Sequence, residues 1–154
     1  MTGAGAKPAA IHATVVAIGE QGVLICGVSG AGKSRLALAL LAEAARRGQF
    51  ARLVGDDRVL VGVTNGRVLA RPHPVIAGLI EERGAGLREC VHEPAARIVC
   101  VVSPGVDDAP RSPEPADMTR NIAGVSLPRL ALRADVGPDE GARRVLSFLG
   151  NLDC

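Results

Sequence analysis

Short apolar runs alternate along this chain with breaks made of glycine, proline or charge, and the apolar positions change period several times. Ile11–Ile18 alternates, is rich in β-branched residues and ends at Gly19, which predicts a strand. Val23–Cys26 predicts a second, buried strand. Only Gly19-Glu20-Gln21-Gly22 lies between them, a connection too short for a parallel crossover and suited to an antiparallel hairpin. Lys33–Arg47 has helical spacing, with Leu36, Leu38, Leu40 and Leu41 spread around much of the circumference, and Gly48 stands where a C-cap glycine belongs.

Further on, Ala51–Val54 predicts a strand running into Gly55-Asp56-Asp57. Arg58–Val63 and Arg67–Ala70 flank Thr64-Asn65-Gly66, whose Asn-Gly pair predicts a hairpin. Val75–Leu79 reads as another apolar strand, and Arg97–Val102 as a strand of the core. Pro104–Pro115 holds four of the ten prolines and predicts a loop. Val125–Leu132 predicts a strand and Gly141–Leu149 a short helix. The organisation expected is a flexible segment over 1–10, a single domain over 11–150 and a tail over 151–154. Strands interleaved with helices define an α/β class, and the tight first hairpin demands a mixed sheet rather than a parallel one.

Composition narrows the function. At 154 residues the chain fits one domain. It contains two phenylalanines and no tyrosine or tryptophan, so the core is aliphatic and no aromatic platform exists for single-stranded nucleic acid. A net charge of +2 with scattered arginines argues against a nucleic-acid partner. The longest strongly apolar stretch, near Leu36–Ala45, is too short to span a bilayer. Met1–Ala10 lacks the apolar region of a signal peptide, so the expectation is a cytoplasmic protein without membrane contact. Cys26, Cys90, Cys100 and Cys154 lack metal-ligand spacing and read as buried or incidental thiols.

The most specific chemistry is Gly27-Val28-Ser29-Gly30-Ala31-Gly32-Lys33-Ser34, which matches the phosphate-loop pattern G-x-x-x-x-G-K-[ST] between a predicted strand and a predicted helix. Its glycines allow backbone N–H groups to converge on phosphate oxygens, and the following helix contributes the positive end of its dipole. Lys33 is one of only two lysines against sixteen arginines, and it falls where a compact ammonium is required. Ser34 is placed to ligate Mg²⁺. The expected ligand is a nucleoside triphosphate, ATP, with Mg²⁺; the bland alternative is a Gly-rich turn that binds nothing.

Asp56 and Asp57 end a strand one helix later, where a second magnesium-organising carboxylate belongs. One of the pair can hold the metal while the other takes a proton from an attacking hydroxyl; an Asp-Asp turn before a hairpin is the structural alternative. His12, in the strand beside the one that enters the loop, sits beside the phosphates, behind Asp57, or is merely packed or exposed. Glu81-Glu82-Arg83-Gly84-Ala85-Gly86 offers a further Mg²⁺ oxygen and a guanidinium.

The order Ile11-His12-Ala13-Thr14, then Gly27–Ser34, then Leu53-Val54-Gly55-Asp56-Asp57-Arg58-Val59, then Ile76–Gly86 resembles the catalytic domain of HPr kinase/phosphorylase, well over residues 11–90 and loosely beyond. The resemblance implies a phosphate-loop kinase domain with a mixed sheet, similar to the phosphoenolpyruvate carboxykinase-like architecture, in its short, kinase-domain-only form. It implies ATP-dependent phosphorylation of a serine of HPr, the phosphocarrier of the sugar phosphotransferase system, and phosphorolysis of that phosphoserine to pyrophosphate. By this resemblance Lys33 contacts phosphates, and Ser34 and Glu81 ligate Mg²⁺; position after the strand, rather than the resemblance, makes Asp56 a candidate metal-organising carboxylate. Asp57 is then the proton acceptor, His12 the active-site histidine, and Arg111 the match to a later active-site arginine. Family members form hexamers, so a homo-oligomer is expected. Glu82 and Ala85 depart from the family pattern, which carries aliphatic residues there. The Pro-Gly-Arg-Asn loop linked to phosphorolysis has Leu127-Pro128-Arg129 as its nearest counterpart. Two other functions fit the loop alone: a small-molecule kinase, and a non-catalytic nucleotide-binding regulatory module.

Overall fold

The computed structural model describes residues 8–82, 84–106 and 118–152. In chain order these form β1 (Ala9–Ile11), β2 (Ala13–Ile18), β3 (Gln21–Cys26), α1 (Lys33–Arg46) and β4 (Ala51–Gly55). Two hairpins follow, β5 (Val59–Thr64) with β6 (Arg67–Pro72) and β7 (Leu79–Glu82) with β8 (Gly86–Glu89). The rest is β9 (Ala96–Val106), β10 (Thr119–Ile122), β11 (Val125–Arg133) and α2 (Pro138–Leu152).

The large sheet has the order β1-β5-β6-β9-β3-β2-β4, with β11 joined to β9 and β10 to β11. β9 lies parallel to β3 and to β11, whereas the other strand pairs are antiparallel. The sheet is therefore mixed, as the short first connection requires, and Ile18 faces Gln21 across that hairpin. β9 holds the architecture together. Ala96 and Arg97 pair with β6, Ile98–Val102 with β3, and Val101–Val106 with β11.

Because side chains alternate along a strand, β2 and β3 bury both faces. Val16, Ile18, Val23 and Ile25 pack toward α1 and α2, against Leu36, Leu40, Val145 and Leu149. Val15, Ala17 and Leu24 pack on the opposite side with Val59, Val61 and Val68 of the β5–β6 hairpin. α1 buries one stripe, Leu36, Ala37, Leu40 and Ala44, while Leu38 and Leu41 are only partly covered, so less of its circumference is buried than the leucine pattern suggests. The helix ends as expected at Gly48, with Gly48 N–H bonded to Ala45 O and Gln49 N–H to Ala44 O. Asn65 and Gly66 both have positive φ, the geometry of the predicted hairpin turn.

Several expectations need correction. The strand predicted over Ile11–Ile18 breaks at His12, because β1 pairs with β5 while β2 pairs with β3 and β4. Ala9 and Ala10 thereby enter β1 instead of a flexible leader. Residues 74–78 form turns, not a strand, and Val75 is 81% exposed; Pro72, Pro74 and Gly78 favour the bend. Pro104 and Gly105 continue β9, and a proline is tolerated there because β3 no longer pairs at that height. Residues 107–115 of the predicted loop, Arg111 included, lie outside the described residues. β10 has no forerunner in the sequence pattern, and Leu127-Pro128-Arg129 lies inside β11 rather than in a loop. α2 starts at Pro138 and takes in Asn151 and Leu152 of the predicted tail. Proline in the first turn, followed by Asp139 and Glu140, explains the early start.

β3 approaches β9 so closely that a Cβ on Gly22 would lie 2.5 Å from Arg97 O, whereas one on Gly62 would meet its nearest atom at 3.7 Å. Gly22→Ala should therefore destabilise the fold by about 1–3 kcal/mol, with Gly62→Ala nearly neutral, in urea denaturation of the two variants.

Candidate phosphate-binding and transfer site

The loop between β3 and α1 has the backbone its sequence calls for. Gly30 and Gly32 adopt φ of 85° and 93°, values that a side chain would strain. Gly32 is the N-cap of α1 and supplies no capping side chain, so first-turn N–H groups remain available to an anion. Lys33 Nζ donates to Gly27 O at 2.9 Å and Val28 O at 3.1 Å, folding the ammonium over the start of the loop. On the other side Ala31 rests against Gly105 near the end of β9, where a Cβ would come within 3.2 Å of it.

β4 runs antiparallel to β2, which runs antiparallel to β3, so β4 ends at the same edge as the loop. That places Asp56 and Asp57 beside Ser34. Asp56 is only 3% exposed, and both of its carboxylate oxygens accept hydrogen bonds. Thr14 Oγ1 and Ser34 Oγ each donate to Oδ1 at 2.7 Å, and Glu81 N–H donates to Oδ2 at 3.0 Å. Hydrogen bonds to an ionised acceptor are the stronger kind, which offsets the burial of this group. One lone pair of Oδ2 is left over.

Asp57 sits at the centre of a three-residue turn closed by Arg58 N–H to Asp56 O at 2.7 Å, with φ 66°. This is the strained hand of that turn, with a cost on the order of 1–3 kcal/mol. Asp57 N–H also points at Thr14 Oγ1, 3.5 Å away. The result is a cleft of about 400 Å³ lined by Ser29, Gly30, Gly32, Lys33, Ser34, Arg35, Asp57 and Glu81.

The donor set fits Mg²⁺. Ser34, Asp57 and Glu81 offer hard oxygens to one cleft, and among the described residues no cluster of three or more His, Cys, Asp or Glu forms an all-protein cage. An incomplete oxygen set, to be filled by phosphate and water, is what Mg²⁺ takes.

The structure separates residues that the sequence groups. His12 is exposed at the bend before β2 and lines a different cavity, of about 560 Å³, with Ile11, Cys26, Gly27, Val28 and Arg120 among its walls. The side chain that reaches Asp56 and the Asp57 amide is Thr14, to which the sequence reading assigns no role. A hydroxyl in an otherwise apolar strand, one strand from the loop, is the signal that marks it. Arg35 in the cleft is likewise unanticipated. Glu82 points away from the cleft, as alternation after Glu81 requires, and is paired with Arg88 at 3.0 Å. Arg83 and Arg111 lie outside the described residues.

Cys26 and Cys100 are buried and unbridged, and Cys90 is partly covered. Burial raises both buried thiols, Cys100 to about 12, while Arg120, Lys33 and Arg129 partly offset the effect at Cys26. Neither has the character of a nucleophile.

The fold and the loop together define a phosphate-loop α/β domain with a mixed sheet. Comparison with known proteins narrows the class. The model of the HPr Serine kinase C-terminal domain matches residues 4–93, more than half of the chain. The HPr kinase/phosphorylase of Mycoplasma mycoides is 34% identical over 93 residues, 60% of this chain and 28% of the relative. That of Azoarcus is 34% identical over 145 residues, 86% of this chain and 44% of the relative. The structure of the HPr(Ser) kinase/phosphatase from Coxiella burnetii superposes with a TM-score of 0.72 at 23% identity, over 94% of this chain and 97% of that one. The chain belongs to the HPr kinase C-terminal domain family. It spans less than half the length of the curated relatives it matches.

Thr14→Val should lower stability by about 1.5–3 kcal/mol, because a hydroxyl bonded to a buried carboxylate is lost, and Thr14→Ser should restore most of it in the same urea titration.

Proposed function

We propose that this domain is a Mg²⁺/ATP-dependent protein serine kinase acting in the cytoplasm on an HPr-like phosphocarrier. The observation that carries the reading is the meeting of the phosphate loop with Asp57 and Glu81 in one cleft. Support comes also from the family, whose relatives carry the name HPr kinase/phosphorylase.

In this mechanism the backbone N–H groups of Gly30–Ser34 and the α1 dipole cradle the phosphates, and Lys33 exchanges its two carbonyl partners for phosphate oxygens. Mg²⁺, when bound, neutralises charge on the β- and γ-phosphates. Ser34 and Glu81 would hold it, and Asp56 stands behind Ser34, accepting that hydroxyl's hydrogen bond. Asp57 accepts the proton of the incoming serine hydroxyl as the new O–P bond forms and the bond to the β-phosphate oxygen breaks. His12 lines the neighbouring cavity, which meets the loop at Gly27 and Val28. In phosphorolysis inorganic phosphate would take the place of the β-phosphate, its oxygen bonding to the phosphoserine phosphorus as the P–O bond to serine breaks and Asp57 returns the proton to the serine oxygen. Association into a homo-oligomer belongs to the proposal by family resemblance. The strained turn at Asp57 weighs against a purely regulatory nucleotide sensor, which has no use for an aimed base.

Transfer from γ-labelled ATP to an HPr-like carrier, with its serines individually changed to alanine, tests the proposal. Label should settle on one serine. Asp57→Asn should cut transfer by about two to four orders of magnitude while MgATP still binds, and Lys33→Ala should weaken binding and transfer together. Binding without transfer to any serine would point to the regulatory module, and ATP turnover on a metabolite to a small-molecule kinase.

A further inference from the structure

The phosphate cleft opens onto a second, smaller cavity of about 180 Å³. The two share Gly30, Gly32 and Arg35 as walls, so they are continuous around the tip of the loop. The smaller one is otherwise bounded by Leu36 of α1, Pro104 of β9, Leu132 of β11, Val136, and Pro138 at the start of α2. We propose that the nucleoside end of the bound nucleotide, its ribose and base, occupies this cavity. The proposal rests on the reading of the loop as a nucleotide site and extends it to a part of the ligand that the loop motif does not address.

Direction along the loop is the first argument. Asp57 and Glu81, beside which the transferable phosphate must lie, line the phosphate cleft but not the smaller cavity, whereas Arg35 lines both. The rest of the nucleotide has to leave the other way, past the first turn of α1, and Arg35 is the residue next to Ser34 on that path. Topology is the second. β9 lies parallel to both β3 and β11, and residues at the carboxyl ends of β9 and β11, Pro104, Gly105, Leu132 and Arg133, line this cavity. A crevice outside the carboxyl ends of parallel strands is where α/β sheets receive ligands. Electrostatics is the third. The first turn of α2 carries Asp139 and Glu140, which oppose the anion-attracting end of that helix. Its mouth is therefore a poor phosphate site and suits an uncharged, flat group. Arg133, the other cation at the wall, is paired with Asp135 at 3.2 Å.

The larger cavity beside His12 is the competing location. It has more apolar walls, but it shares no lining residue with the phosphate cleft and meets the loop only at Gly27 and Val28.

Calorimetric titration with Mg²⁺-ADP and Mg²⁺-pyrophosphate separates the nucleoside from the phosphates. Ala134 lines the smaller cavity from an exposed position, so Ala134→Trp fills it from the rim without touching the core. ADP should bind the native chain more tightly than pyrophosphate, and Ala134→Trp should weaken ADP by about tenfold or more with pyrophosphate held within about twofold. Equal loss for both probes, or no loss, overturns the assignment. So does a native chain that binds pyrophosphate as tightly as ADP, and that result leaves the phosphate site standing. A native chain that binds neither removes the nucleotide reading itself, and this assignment with it. Photolabelling of the native chain with an azido-adenine diphosphate needs no variant: label within Pro104–Val106 or Leu132–Pro138 supports the assignment, and label within Ile11–Cys26 or Arg120–Ala123 overturns it.

Discussion

A single buried carboxylate ties the site to the fold. Asp56 receives a hydroxyl from β2, a hydroxyl from the first turn of α1 and an amide from β7, while its own backbone continues β4. Four elements distant in sequence thus converge on two oxygen atoms. Neutralising such a group by hydrogen bonds rather than by a cation has a consequence for geometry. Hydrogen bonds are directional, so the carboxylate sets the relative placement of the loop helix and the strand end to within a few tenths of an ångström.

Around that point the chain spends its few unusual backbone conformations. Asp57 is one of three described non-glycine residues with positive φ, and the other two, Asn65 and Ala123, lie in hairpin turns. Strain at a hairpin tip follows from connecting two strands. Strain at Asp57 has no such topological cause, since the chain could pass from β4 to β5 by a relaxed turn. It persists because Asp56 is held from three sides and the Thr14 hydroxyl faces the next amide. The aimed carboxylate of Asp57 is a by-product of the rigid carboxylate before it.

Much of this was legible in the sequence. The phosphate loop, the helix behind it, the Asn-Gly hairpin and the mixed sheet all follow from local rules: glycine at positive φ, helical spacing, and a connection too short for a crossover. What stayed hidden depends on partners far along the chain. β10 is too short and polar to signal itself and exists because β11 offers it an edge. Val75–Leu79 is apolar enough for a strand, yet flanking prolines and Gly78 turn it before a neighbour can pair. Of the residues that line the phosphate cleft, the loop pattern singles out Lys33 and Ser34, position after a strand singles out Asp57, and the family resemblance singles out Glu81. His12 and Thr14 illustrate the limit. They are two residues apart, and only the bend at His12 decides which of them turns toward Asp56 and which faces another cavity.

β9 gives the molecule a division of labour. The residues that offer named atoms to the phosphate cleft all precede it, within the stretch that the family model matches, residues 4–93. The described residues from β9 onward contribute strand register, apolar volume, a glycine under the loop tip and most walls of the smaller cavity. Those demands can be met by many side chains, whereas a carboxylate at a fixed point can be met by few. The two halves therefore answer to different constraints, so long as one strand keeps its place between them. The fold itself matches a solved structure over 94% of this chain at 23% identity.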